Sequence, residues 1–139
     1  MKYYAVIDTN VLVSAMLKYK SIPGSIMELS LTGTIIPVLN AAIIREYWDV
    51  LSRPKFHLTE EIVKNIIDSI RNVAVCVDGE PTDIELPDVK DRVFYEVVME
   101  KRKDDDAYLV TGNIRHFPDR PFIVTPREML DIILKDMDL

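Results

Sequence analysis

At 139 residues, with 48% hydrophobic and 29% charged residues, the chain has the balance of a soluble globular protein rather than of a disordered or fibrous one. One domain spanning residues 1–139 is expected, long enough to bury roughly two-thirds of the surface its unfolded form exposes. The formal net charge of −6 excludes a broad electrostatic hold on nucleic acid, because such binding draws on counterion release by Lys and Arg. Any contact with RNA or DNA must therefore be local or metal-assisted.

No apolar stretch approaches the ~18–20 residues that cross a bilayer, and Met1-Lys2-Tyr3-Tyr4 leads to an acid by position 8, unlike a signal peptide. A cytoplasmic protein without membrane contact is the expectation. The first element is an apolar run that stops on an acid, Tyr3-Tyr4-Ala5-Val6-Ile7-Asp8-Thr9-Asn10. A buried parallel strand reads as such a run, and open α/β sheets bind ligands beyond the carboxyl ends of their strands. Asp8 is thus placed at a crevice. By itself the segment leaves two readings open, a chemical role or simply a strand end whose Asp8 and Asn10 cap the next helix.

Val11 to Leu17 has helical composition, and Ser21-Ile22-Pro23-Gly24-Ser25 punctuates before a second helical piece around Ile26 to Leu31. Thr34 to Leu39 predicts a second strand, with Pro37 suggesting an edge or a strand end. Asn40 is an N-cap for a helix to about Leu51 that carries Glu46, Tyr47 and Trp48, the two aromatics reading as core. After the break at Arg53-Pro54-Lys55-Phe56, Thr59 opens a helix with Ile62, Ile66, Ile67 and Ile70 on one face. Val73 to Val77 predicts a third strand, with the single cysteine, Cys76, in its core.

Residues 78–87 have no periodicity and read as a surface loop delivering Asp88. Asp88 is a candidate N-cap, and Asp91 falls in the first turn of a helix over Val93 to Met99, where the macrodipole favours negative charge. Lys101-Arg102-Lys103 followed by Asp104-Asp105-Asp106 reads as a solvated helix end. Ala107 to Thr111 and Phe122 to Val124 predict two more strands, and Thr125-Pro126-Arg127-Glu128 is a capping box opening a last helix to about Lys135. Strands alternating with helices imply a mostly parallel sheet covered on both faces, a three-layer α/β/α domain.

Polar positions fall where strands end or helices begin: Asp8, the Glu46 helix, the Asp88/Asp91 pair, and Asn113 after Val110-Thr111-Gly112. With 23 acidic residues in 139, each alone says little. The combination says more, because three of these positions are placed to face one sheet edge. Clustered carboxylates raise one another's pKa and need compensation, which a hard divalent cation with oxygen ligands supplies; Mg²⁺ or Mn²⁺ suits carboxylates, an amide oxygen and waters.

Val6-Ile7-Asp8-Thr9-Asn10-Val11-Leu12-Val13-Ser14-Ala15, Glu46 upstream of Val50-Leu51-Ser52-Arg53-Pro54-Lys55-Phe56, Asp88-Val89-Lys90-Asp91, Leu109 to Asn113 leading to His116-Phe117-Pro118, and Ile123 to Glu128 occur in the right order over nearly the whole chain. This set resembles the PIN-domain family of metal-dependent ribonucleases, many of which are toxins of toxin–antitoxin pairs. The resemblance implies a PIN-like α/β/α fold in which Asp8, Glu46 and an acid of the Asp88/Asp91 pair hold the metal, Asp91 being preferred as the third. It also implies supporting roles for Thr9, Asn10 and Thr111 around Asp8, a further ligand position at Asn113, an RNA substrate, an antitoxin partner and homodimerisation. Where many PIN domains carry a further Asp, this chain has Asn113, whose amide brings no charge.

The two histidines, His57 and His116, are too far apart for a zinc signature and read as turn residues, with His116 the nearer to substrate. Ser14 has no neighbouring histidine to activate it. Arg45, Arg53 and Lys55 are the phosphate candidates. A covalent phosphotransferase centred on Asp8 would need a second acid where Asn10 stands, and a receiver domain would need an adjacent acid pair. The remaining alternative is a catalytically weak PIN-like module that binds protein or RNA.

Overall fold

The opening apolar run forms strand β1 (Tyr3–Ile7), buried at Tyr3, Ala5, Val6 and Ile7. A computed structural model describes residues 2–137. From β1 the chain continues through α1 (Thr9–Leu17), α2 (Ile22–Thr32), β2 (Ile35–Leu39), α3 (Ala41–Leu51), α4 (Glu60–Val73), β3 (Val75–Cys76), α5 (Arg92–Lys101), β4 (Tyr108–Val110), β5 (Ile123–Val124) and α6 (Pro126–Asp136). Short 3-10 turns cover Pro54–Phe56, Val89–Asp91 and Ile114–His116.

The helix starts follow local chemistry. Asn40 Oδ1 accepts the Ile43 amide at 3.0 Å and Thr59 Oγ1 the Ile62 amide at 3.2 Å. At α6 the capping box is closed from both sides, Thr125 Oγ1 accepting from the Glu128 amide at 3.1 Å and Glu128 Oε1 from the Thr125 amide at 3.0 Å.

The five strands form one sheet in the order β3-β2-β1-β4-β5, every pair parallel. Successive strand residues point to opposite faces. Tyr3 reaches one layer, its hydroxyl donating to Asp136 of α6 at 2.9 Å, while the Tyr4 ring on the other face lies 4.2 Å below Lys101 Nζ of α5. Helix α5 covers β1, β2 and β4 from that side, and α2 packs against α1, α4 and α6 to form the opposing layer. This is the three-layer α/β/α arrangement expected.

Several local expectations give way to tertiary context. Pro37 lies inside β2, an interior strand; β3 pairs only with Val38 and Leu39, so it does not extend to Pro37 and the missing amide costs no bond on that side. The helical pattern runs through Val73, leaving a two-residue edge strand on which Cys76 is exposed rather than in the core. On α4 the buried face is Val63, Ile67 and Ile70, spaced i, i+4, i+7, and Ile62 is 44% exposed. The basic run that ends α5 is not freely solvated: Lys101 pairs with Asp105 at 2.8 Å, and the Arg102 guanidinium stacks 4.1 Å from the Phe122 ring. The 78–87 segment is irregular, as expected, and is tied down by Thr82 N–H donating to Glu96 Oε2 and Arg92 Nε donating to the Ile84 carbonyl, each at 2.8 Å.

Candidate functional site

Strand β1 has β2 on one side and β4 on the other, so the strand order reverses direction there, and the carboxyl ends of β1 and β4 open a crevice. Asp8 follows β1 and Thr111 follows β4. The Asp8 amide continues the ladder to the Val110 carbonyl at 2.9 Å. Asp8 stands at the N-cap of α1, yet its carboxylate makes no capping bond. It turns instead toward β4, where Oδ2 accepts from Thr111 Oγ1 at 2.8 Å and from Asn10 Nδ2 at 3.3 Å.

The loop of bonds closes around this pair. Asn10 Oδ1 accepts from the Gly112 amide at 3.0 Å, and Thr111 Oγ1 accepts from the Asn113 amide at 3.0 Å. A Cβ at position 112 would lie 3.3 Å from Asn10 Oδ1, a tight approach that suits glycine. The Thr9 hydroxyl, expected to act beside Asn10, is buried and makes no hydrogen bond among the described residues.

Glu46 enters from α3. The hydroxyl of Tyr47, 2% exposed, donates to the Ile7 carbonyl, which pins α3 against the end of β1 and leaves Glu46, one residue earlier, half-buried on the crevice side. Trp48 packs against the core. The third wall is the turn Val89–Asp91. Asp88 is exposed and its Oδ1 accepts from the Lys90 amide at 3.0 Å; Asp91 is only 15% exposed, with Oδ2 3.3 Å from His116 Nδ1.

The resulting cleft has a volume of about 420 Å³ and brings together Asp8, Glu46, Asp88, Asp91 and Asn113. Asn113 is exposed at its rim, and its side chain makes no hydrogen bond among the described residues. Of the phosphate candidates, Arg53 lines the cleft and Arg45 and Lys55 do not. Sequence reasoning missed the contact of His116 with Asp91 and the place of Lys90 on the wall. The signal for Lys90 was its position between Asp88 and Asp91. A larger hollow of about 540 Å³ beside α5, lined by Pro81, Tyr95 and Met99, includes no strand end.

Burial pushes the Asp8 carboxyl up to about 6, and the charge of Asp91 adds to the rise, while the Thr111 hydrogen bond, the Thr9 amide and His116 oppose it. Asp91 is likewise raised, first by burial and then by Asp88, with His116 opposing and Glu46 adding. None of Asp8, Glu46, Asp88 or Asp91 has a Lys or Arg ion-pair partner among the described residues.

A raised carboxyl means that the native state holds a proton more tightly than the unfolded chain. Stability in chelator should therefore fall as pH rises from the ordinary value of 3.8 through about 6. The Asp8 contribution is up to about 3 kcal/mol at 1.36 kcal/mol per pKa unit. Urea melts across that window should show the slope in the parent and a shallower one in Asp8→Asn; equal slopes would refute the buried, uncompensated carboxylate.

The donor set is all hard oxygen apart from His116. No three Asp, Glu, His or Cys side chains converge to ligating distance among the described residues. A fully protein-built cage is thus not what the cleft offers. Mg²⁺-like ions keep several waters and are held through one or two carboxylates, so an open, acid-lined cleft fits a hydrated cation of that kind. No helix among the described residues is long and apolar enough to cross a membrane.

Residues 4–115 match the PIN domain family. The chain is also similar to the uncharacterized protein MJ1680 of Methanocaldococcus jannaschii, 25% identical over 147 residues covering 94% of this chain and 92% of that protein. No solved structure matches the chain.

Proposed function

The chain belongs to the PIN-domain family, whose members are generally nucleases acting on RNA, and on that premise we propose that it is a divalent-metal-dependent endoribonuclease, the toxin of a toxin–antitoxin pair. The observation that carries the enzymatic reading is Asp8: 5% exposed at the topological switch point, without a Lys or Arg ion-pair partner among the described residues, its carboxylate within the electrostatic reach of Asp91 rather than capping its own helix. At neutral pH a carboxylate in that setting loses more through burial and the neighbouring Asp91 charge than its hydrogen bonds return. Its placement makes sense as a ligand.

Asp8, Glu46 and Asp91 are the metal-holding acids in this reading. Asp91 is preferred to Asp88 because it is the less exposed and lies within the electrostatic reach of Asp8, whereas Asp88 spends an oxygen on the Lys90 amide. Thr111 and Asn10 hold the Asp8 carboxylate in one orientation through Oδ2, the role such outer partners have at metal sites. Asn113 contributes an amide oxygen and no charge at the rim. When bound, Mg²⁺ or Mn²⁺ supplies acidification of an attacking water and neutralisation of the charge that grows on the phosphodiester.

Purified protein incubated with single-stranded RNAs should lose all cleavage in chelator and recover it with excess Mg²⁺ or Mn²⁺. Cleavage that persists in excess chelator refutes the metal-dependent reading. The uncharged Asn113 and the net charge of −6 favour one rival, a catalytically weak binding module. RNA binding without cation-dependent cleavage would establish that rival. For the toxin role, co-expression with a small DNA-binding protein encoded beside it should suppress the RNA cleavage.

A further inference from the structure

We propose that the turn following α3, Arg53 to Phe56, is a nucleotide subsite, in which Phe56 stacks an unpaired RNA base while Arg53 and, from the facing wall, Lys90 hold the flanking phosphates; this rests on the ribonuclease reading above. The acids of the cleft are on its floor and walls, and the cations that line it are Arg53 and Lys90. Both Arg53 and Lys90 are exposed and neither makes an ion pair among the described residues. Cations left unpaired beside carboxylates that have no Lys or Arg partner among the described residues form a charge pattern suited to a ligand that is itself anionic along its length. A phosphodiester strand crossing the rim is such a ligand.

Phe56 is the aromatic side chain that lines this cleft, and it is half-buried. Its position is held rigidly for a residue outside regular helix. Pro54 limits the backbone at the start of the turn, Phe56 N–H donates to the Arg53 carbonyl at 3.1 Å, and His57 N–H donates to the Pro54 carbonyl at 3.1 Å. His57 ends the turn in the left-handed region at φ 55°. Lys55 Nζ lies 5.1 Å from the Phe56 ring centroid, so the ring is flanked by charge on one side and contributes to the cleft with its remaining surface. A fixed aromatic surface in a cleft that also carries cations is how proteins take up successive elements of a single strand, base on ring and phosphate on cation. With a net charge of −6, affinity cannot come from the surface at large, so these contacts should dominate it.

The test is binding of a short unstructured RNA, followed by fluorescence anisotropy with Ca²⁺ as the cation, a gel confirming that the strand stays whole. Phe56→Leu should weaken binding by roughly tenfold with the salt dependence unchanged, and Phe56→Tyr should restore it, since stacking needs the ring and not its charge. Arg53→Gln and Lys90→Gln should each weaken binding and lower the slope of log K against log salt by about 0.7. An RNA with an abasic site at the stacked position should bind the parent less tightly and Phe56→Leu no less tightly than the intact strand. Thermal melts confirm folding of each variant. If Phe56→Leu binds like the parent, or its loss and the abasic loss simply add, the stacking subsite is refuted while the ribonuclease reading stands on its own cleavage assay. If the parent neither binds nor cuts RNA, that reading fails and takes the subsite with it.

Discussion

Asp8→Asn should abolish RNA cleavage and at the same time stabilise the protein in chelator. The loss of activity is expected to be about a thousandfold or more, corresponding to roughly 4 kcal/mol of transition-state stabilisation that the cation supplies and a neutral amide holds poorly. The gain in stability has a separate origin. Burial and the neighbouring Asp91 charge penalise the ionised carboxyl at neutral pH, and the substitution removes that penalty. Against it stands the weakening of the bonds from Thr111 and Asn10, since an amide oxygen is a poorer acceptor than a carboxylate. The balance should be a stabilisation of about 1–2 kcal/mol near neutral pH, which fades as Asp8 protonates below about 6. Added Mn²⁺ should reverse the order, because a ligand bound only by the native state stabilises the parent by mass action and the variant much less. Melts of both proteins in chelator and across a Mn²⁺ titration check this. A variant that cleaves RNA at the parental rate would overturn the assignment of Asp8, and a variant less stable than the parent in chelator would overturn the electrostatic account.

Thr111→Val is expected to cost about 2 kcal/mol of stability above the Asp8 pKa and less below it. Thr111 is fully buried, and valine keeps its shape and branching at the end of a strand. What is lost is a hydroxyl that donates to the Asp8 carboxylate at 2.8 Å and accepts from the Asn113 amide at 3.0 Å. A hydrogen bond to a charged group contributes about 1.5–3 kcal/mol, and this one opposes the burial that raises Asp8. Its removal should move the Asp8 carboxyl further up from about 6. Cation binding needs the ionised carboxylate, so the acid side of the activity profile should shift to higher pH. Thr111→Ser retains the hydroxyl and should keep the parental profile. A Thr111→Val protein with the parental pH profile would show that the bond does not tune Asp8.

Much of the architecture can be read from short stretches of chain, because its causes are local. An apolar run long enough for a buried strand, a side chain at Asn40, Thr59 or Thr125 able to bond an amide three residues on, and a proline at the first helical position each act within a few residues. Alternating strands and helices then imply the layered parallel sheet. The spacing of Asp8, Glu46 and the Asp88/Asp91 pair relative to those elements was enough to nominate them for one crevice, because strand ends on a parallel sheet share an edge.

What the sequence could not determine depends on pairs distant in the chain. Thr111 bonds Asp8 across 103 positions, and His116 meets Asp91 across 25, so no local pattern announces either contact. Whether Cys76 and Ile62 are buried was decided by how far β3 and the α4 contact surface extend, and whether Pro37 was tolerable was decided by where β3 stops pairing. The same holds for the basic run at Lys101-Arg102, whose cations are taken up by Asp105 and by the Phe122 ring brought from another segment. Propensity and capping act through covalent neighbours and are written in residue order; burial, desolvation and the field at Asp8 are set by atoms that only the packed sheet and its helices bring within reach.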